Sequence, residues 1–205
     1  MATPVAQTHL TPEEYIAFER KAIPDAETVR SEYIDGEIIN MPGASFPHNL
    51  ITSNISGELR ARLKNSACAV FANDMRISIP TAQSYFYPDI GVVCEDPRFE
   101  DDVFDTLLNP IVIVEVLSPS TEAYDRGEKF GHYRHLASLQ EYVLVSQDKV
   151  LVEHYRREKK QGGIPATGKD WIFTDFQELG EILPLTPIQC ELPLQEIYER
   201  VPFPD

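Results

Sequence analysis

Residues 110–120 read Pro110-Ile111-Val112-Ile113-Val114-Glu115-Val116-Leu117-Ser118-Pro119-Ser120, and this stretch decides the fold. A continuous β-branched run bounded by prolines predicts a strand covered on both faces, as at the centre of a sheet with helices packed against it. With side chains alternating, Ile111, Ile113, Glu115 and Leu117 share one face, and Val112, Val114 and Val116 share the other. Glu115 is therefore a carboxylate set among aliphatic side chains. Its ionised form is unfavourable there unless a cation, a hydrogen-bond donor or a proton offsets the lost hydration. An ion-paired core acid is one explanation, and a reactive acid is the other.

A second acid sharpens the choice. Asp89 follows Pro88 and precedes the apolar run Ile90-Gly91-Val92-Val93, 26 residues before Glu115. That separation allows a loop and a return strand lying beside the first. Two carboxylates projecting from adjacent strands form a hard-oxygen site suited to Mg²⁺, which takes carboxylates, water and substrate phosphate as ligands. A strand-entry aspartate after proline is the purely structural alternative.

Working outward, Thr11-Pro12-Glu13-Glu14 carries a helix-start signature, with a capping hydroxyl, a first-turn proline and a glutamate at N3. Tyr15, Ile16 and Phe18 supply its apolar face, and Pro24 marks its end. The runs Glu32-Tyr33-Ile34 and Glu37-Ile38-Ile39 flank Asp35-Gly36, which predicts a type I′ hairpin. A loop follows at Met41-Pro42-Gly43. Ile51, Ile55, Leu59 and Leu63 recur every fourth residue and predict a helix over 48–64. Strands are expected over 69–79 and 85–93, a loop over 95–105, a helix over 122–136, and strands over 141–145, 150–155 and 171–176. The Gly162-Gly163 region reads as loop, and Pro193 as the start of a short last helix. This order predicts one α/β or α+β domain with a mixed sheet over 1–205, residues 1–10 being flexible and 177–205 a C-terminal extension.

The charge balance limits the partners. Eighteen Lys and Arg stand against 33 Asp and Glu, a formal net charge of −15. That argues against coating nucleic acid or an anionic membrane through the overall field. Much of the excess is segregated, with six acids and one base over 95–105 and seven acids and one base over 175–205. A phosphodiester engaged locally through a metal ion remains compatible with it. No run approaches the roughly 18–20 apolar residues that span a bilayer, and the N-terminal residues do not resemble a secretory signal. Cys68, Cys94 and Cys190 are scattered, with no Cys-x-x-Cys pair. We therefore expect no disulfide framework and a cytoplasmic protein.

Several of these pieces together resemble one family. Glu37 in Tyr33-Ile34-Asp35-Gly36-Glu37, His48 opening the next helix, Pro88-Asp89 and Glu115-Val116-Leu117-Ser118-Pro119-Ser120 are similar to the Uma2 family. Asp125 and Lys129, followed by Glu141-Tyr142-Val143-Leu144-Val145, continue the likeness, which runs over 11–176. The resemblance implies a restriction-endonuclease-like fold of the PD-(D/E)xK type, a mixed β-sheet core flanked by helices. It further implies a metal-dependent endonuclease hydrolysing DNA, with Mg²⁺, or Mn²⁺ in its place. Asp89 and Glu115 would bind the metal with the backbone carbonyl of Val116, and Glu37 would be an acid from the preceding unit. The general pattern has a lysine two residues after the second acid, where this chain has Leu117. Lys129, 14 residues after Glu115, is the candidate replacement, its long stem reaching the same point from a helix. Restriction nucleases pair to reach two strands, so the family implies a homodimer.

Other residues carry weaker signals. His48 is a candidate phosphate contact or support for the acids. Arg156 and Arg157 begin the one dense basic run, Arg156-Arg157-Glu158-Lys159-Lys160, a candidate phosphate-contacting loop or a solvated turn. His132 and His135 lack the spacing of a zinc-hydrolase motif, and the serines and glycines form neither a nucleophile elbow nor a phosphate loop. A glycosidase built on paired acids would need an aromatic cleft, for which only Tyr85, Phe86 and Tyr87 are at hand. The competing reading is a nuclease-fold module that binds metal, nucleic acid or protein with weak or absent turnover, favoured by Leu117 and the net charge.

Overall fold

The computed structural model describes residues 9–22, 30–41, 43–158 and 171–204. Pro24, Pro42, the Gly162-Gly163 region, Lys159, Lys160 and most of 1–10 lie outside the described residues.

The stretch quoted first forms β8 (Val112–Leu117), and all six of its residues are buried. It lies inside a six-stranded sheet of order β11-β10-β9-β8-β6-β3. These strands are β3 (Cys68–Ala72), β6 (Ile90–Cys94), β9 (Glu141–Ser146), β10 (Val152–Arg157) and β11 (Trp171–Phe176). β8 pairs antiparallel with β6 and parallel with β9, so the sheet is mixed as expected. Its valine face packs on α2 (Phe46–Arg62) through Ile51, Ile55 and Leu59. The same core cluster takes in Leu183, Leu185, Leu192, Leu194 and Ile197 from the C-terminal segment. That segment is a hairpin of β12 (Ile182–Leu185) and β13 (Cys190–Pro193), followed by α5 (Leu194–Ile197). The residues expected to form an extension thus close the core instead.

The opposite face of β8, bearing Ile113 and Leu117, packs against Phe130, Tyr133, Leu136 and Tyr142 and against Ile77, Ile79 and Phe86. The last three belong to a second, five-stranded sheet of order β2-β1-β5-β4-β7, which the apolar pattern had not separated from the first. Its strands are β1 (Ser31–Ile34), β2 (Glu37–Asn40), β4 (Arg76–Ile79), β5 (Ser84–Phe86) and β7 (Thr106–Leu107). Each strand expected over 69–79 and 85–93 is split in two, one part in each sheet. Asn73, at φ 61°, turns the chain between β3 and β4.

Local expectations hold where the chemistry is local. The Thr11 N–H donates to Glu14 Oε2 (2.8 Å) and the Glu14 N–H to Thr11 Oγ1 (3.2 Å), a reciprocal capping box at the start of α1 (Pro12–Ala22). Asp35 and Gly36 take φ values of 45° and 96°, the two left-handed positions of a type I′ turn. Phe18, however, is exposed; the buried face of α1 is Tyr15 and Glu19. Cys68 and Cys94, expected to be unpaired, form a disulfide. They stand directly opposite each other in the antiparallel β3–β6 register, a proximity that spacing along the chain does not reveal. Among the described residues no helix is long and apolar enough to cross a membrane.

Candidate active site

Glu115 projects from β8 on the face that alternation assigned to it, between the two sheets, and its side chain is 4% exposed. Its Oε1 accepts from Lys129 Nζ (2.9 Å) and from the Tyr133 hydroxyl (3.2 Å). Its Oε2 accepts the Asp89 N–H at 3.3 Å. Asp89 answers in kind, because its Oδ2 accepts the N–H of Val116 at 2.7 Å. The antiparallel register Ile90↔Val114 sets the two acids side by side at one end of β6 and β8. His48 reaches the same oxygen of Asp89 from the first turn of α2, with Nε2 at 3.2 Å. Its Nδ1 is buried without a hydrogen-bond partner among the described residues.

Lys129 points inward. It closes a π-helical turn, Asp125–Lys129, set between the short helices α3 (Glu122–Tyr124) and α4 (Phe130–Tyr133). Such turns recur at functional sites because they re-aim side chains without ending the helix. Its side chain is 5% exposed, and Nζ lies 2.8 Å from Glu32 Oε1 and 3.9 Å from Asp125 Oδ1 in addition to its Glu115 contact. The Phe86 ring lies 6.0 Å from Nζ. Leu117 is buried in the apolar cluster between the sheets.

The hairpin acid in this cluster is Glu32. Its Oε1 also accepts the Tyr87 N–H (3.2 Å), and its Oε2 accepts the Tyr124 hydroxyl (3.1 Å). Glu37, assigned to this place by the family pattern, is exposed on edge strand β2 opposite Ile34. Glu32 lies inside a strand whose every residue is buried, but that strand has only four residues and no aliphatic run to mark the acid in the sequence. Asp125, Tyr124 and Tyr133 were likewise missed as site residues; helical spacing from Lys129 is the signal they carried.

The site is rich in acids, with Glu32, Asp89, Glu115 and Asp125 around one ammonium. Burial pushes the Glu115 carboxyl well above its usual range, against the pull of Lys129. Burial raises Asp125 in the same way. For Lys129 burial works against the charge, but Glu115, Glu32 and Asp125 outweigh it and hold the ammonium well above its ordinary value. Ion pairs this buried are poor sources of stability, because desolvation offsets their attraction.

The donor set fits a hard divalent cation only in part. Among the described residues no three His, Cys, Asp or Glu side chains are arranged to hold a metal by themselves. Asp89 and Glu115 supply two adjacent carboxylates, and Asp89 is the more open, 17% exposed. A cation there would need water and substrate oxygens to complete its shell, which is the habit of Mg²⁺. Val116 is at the site through its N–H.

Arg156 and Arg157 lie on β10. Arg157 donates to the carbonyls of Leu139, Arg134 and Leu136 and lies over Trp171, so it holds the chain beyond α4 rather than offering a free phosphate contact. Arg156 is exposed and pairs in register with Glu141, at the end of β9 away from Leu144, the residue paired with Glu115. His132, half-buried, meets Ser84 Oγ through Nδ1 at 3.0 Å, which is a packing role.

Comparison with known proteins agrees with the fold. The Uma2 family, described as "Putative restriction endonuclease", matches residues 12–195. Two proteins of Synechocystis sp. (strain ATCC 27184 / PCC 6803 / Kazusa), both described as uncharacterized, are similar along most of their length. One, sll1609, is 43% identical over 82% of this chain and 87% of its own. The other, slr1290, is 36% identical over 95% of this chain and 94% of its own. A solved structure from Anabaena variabilis ATCC 29413, described as a putative nuclease belonging to DUF820, superposes with a TM-score of 0.69. It is 22% identical and covers 92% of this chain and 97% of its own, a likeness of fold.

Proposed function

Since the chain belongs to the Uma2 family, we propose that it is a metal-dependent endonuclease that hydrolyses DNA phosphodiester bonds at Asp89, Glu115 and Lys129. The observation that carries this reading is the position of Lys129. An ammonium 5% exposed, delivered from a helix to within 2.9 Å of Glu115, supplies what Leu117 does not. A lysine holding or polarising the attacking water is the part that a nuclease of this pattern requires and a mere fold relative does not.

Each residue then has a task. Asp89 and Glu115 would hold the divalent cation, Mg²⁺ or Mn²⁺, with the Val116 carbonyl as a further ligand. When bound, that cation supplies Lewis-acid polarisation of the phosphoryl oxygen. Lys129 orients the water from Nζ and offsets charge developing on the phosphate. Glu32 keeps Nζ aimed at Glu115, and Tyr133 and Tyr124 hold the two glutamates in turn. A homodimer presenting two such sites to two strands belongs to the same proposal, and sedimentation of the purified chain reads it.

The test is cleavage of supercoiled, linear and single-stranded DNA with Mg²⁺ or Mn²⁺, alongside Asp89→Ala, Glu115→Ala and Lys129→Ala. Metal-dependent cutting lost in all three variants supports the nuclease. One specific observation favours the competing module without turnover: two carboxylates already engage the Lys129 ammonium. Metal binding with no cleavage under any condition selects that reading, and no metal binding by the wild type removes the proposed metal site.

A further inference from the structure

Asp89 and Glu115 divide their oxygens in the same way. Asp89 Oδ2 accepts the Val116 N–H (2.7 Å) and meets His48 Nε2 at 3.2 Å. Its Oδ1 makes no hydrogen bond among the described residues and is not one of their buried, unpartnered atoms, so it opens on solvent. Glu115 Oε1 likewise takes two contacts, from Lys129 and Tyr133, and Oε2 takes only the long one from the Asp89 N–H. Each acid therefore has one oxygen held by two partners and one left freer. Of the side chains on the two held oxygens, only His48 has no task in the nuclease reading.

Helix α2 holds this histidine at both ends of its backbone. The His48 N–H donates to Ser45 Oγ (3.2 Å), and its carbonyl accepts the Thr52 hydroxyl (3.0 Å). One turn on, Ile51 and Thr52 are buried, and Ile51 and Ile55 belong to the core cluster that contains Val116. The packing that anchors α2 on β8 thus also brings His48 to Asp89. The two ring nitrogens differ in their surroundings. Nδ1 is buried without a partner among the described residues, and a hydrogen placed on it would be buried and unpaired. The ring hydrogen therefore belongs on Nε2, where it faces Asp89 Oδ2.

We propose that His48 is a positioning residue for Asp89. Together with the Val116 N–H it pins Oδ2, so that Oδ1 is the oxygen presented to a divalent cation. The inference rests on the metal site proposed at Asp89 and Glu115, and adds the group that fixes how Asp89 is turned. A carboxylate held by one donor can rotate about its Cβ–Cγ bond and offer either oxygen. A second partner on the same oxygen removes that freedom before the metal arrives, which is how hydrogen-bonded supports strengthen a metal site. Of the two roles open to His48 in the sequence, this one is the support for the acids.

The test reads metal binding rather than cleavage. Mn²⁺ is titrated into the full chain without DNA, free Mn²⁺ is followed by electron paramagnetic resonance, and Tm is recorded for each variant. His48→Gln keeps an N–H donor at the reach of Nε2, whereas His48→Asn is too short and His48→Ala has none. Expected is Mn²⁺ binding weakened about 10- to 100-fold in His48→Ala and His48→Asn, but within about 3-fold of wild type in His48→Gln. A ring that serves packing alone would lower Tm in all three and leave the Mn²⁺ affinity of the folded protein unchanged. Wild-type affinity in folded His48→Ala or His48→Asn overturns the inference, and so does a loss in His48→Gln as large as in His48→Asn. Should His48→Ala not fold, the comparison of His48→Asn with His48→Gln decides. A wild type that binds no Mn²⁺ removes the metal site and the inference together, whereas equal binding across wild type and variants removes the inference alone.

Discussion

Lys129 Nζ lies 2.8 Å from Glu32 Oε1, so the first strand of the second sheet and the helical turn after β8 meet at a single ion pair. That contact separates two acids which the hairpin makes easy to confuse. Glu32→Gln is expected to lower DNA cleavage by roughly 100-fold, the scale of a misplaced proton-handling group. Glu37→Gln, on an exposed edge position, should stay close to wild type. Initial rates under saturating Mg²⁺ decide it, and the reverse order would return Glu37 to the site.

Asp105 gives stability a definite pH dependence. Hydrogen bonds from Arg20 (Nε–Oδ2 2.9 Å, Nη2–Oδ1 2.8 Å), against the opposing effect of burial and with help from Arg76, hold its carboxyl far below the usual range. A depressed folded pKa means that the stabilisation is full above the unfolded value near 3.8 and is lost as pH falls through the folded one. Asp105→Asn should therefore cost about 1.5–3 kcal/mol at pH 7, and the gap to wild type should narrow below about pH 4. Urea unfolding at pH 7, 4 and 3 measures this; a constant gap refutes it.

Gly91 faces Phe71 across the β3–β6 pair, and a Cβ there would stand 2.1 Å from the ring's Cζ. Gly91→Ala is expected to destabilise by about 1–3 kcal/mol through overpacking. Adding Phe71→Leu should recover part of that loss. Additive effects in the double-mutant cycle would show that the two residues do not collide.

The Cys68–Cys94 bond closes a segment with a sequence separation of 26. Reducing it, or replacing both residues by serine, should remove about 3 kcal/mol, which for a domain of this size lowers Tm by roughly 6–12 °C. Calorimetry with and without reductant reads the shift, and identical curves would mean that the bond contributes nothing.

What the sequence revealed followed the range of the forces involved. The Thr11–Glu14 capping box, the Asp35-Gly36 turn and the spacing of Ile51, Ile55 and Leu59 depend on near neighbours, and each was readable. Glu115 stood out because desolvation of an acid within an aliphatic strand is a local oddity. Glu32 is the same oddity in a four-residue strand, too short for the surrounding apolar context to mark it. The division into two sheets, the Cys68–Cys94 pairing and the closing of the core by residues past 177 depend on strand order, which local patterns do not carry. Arg157 looked free because the carbonyls it satisfies belong to Arg134, Leu136 and Leu139, on another element.

The two kinds of site residue differ in how freely they can be relocated. Glu115 shares β8 with valines that form the opposite face of the main core, so moving it one position would turn an acid into that core and an aliphatic side chain out of it. The ammonium hangs from a long stem on a short, irregular helical turn that lies outside the sheet and meets it through the Tyr142 hydroxyl on the Asp125 carbonyl. Shifting the ammonium along its turn would therefore disturb the core less than shifting either strand-borne acid. Leu117 is then no vacancy but a core residue between the sheets, and the positive charge beside Glu115 is held by Lys129.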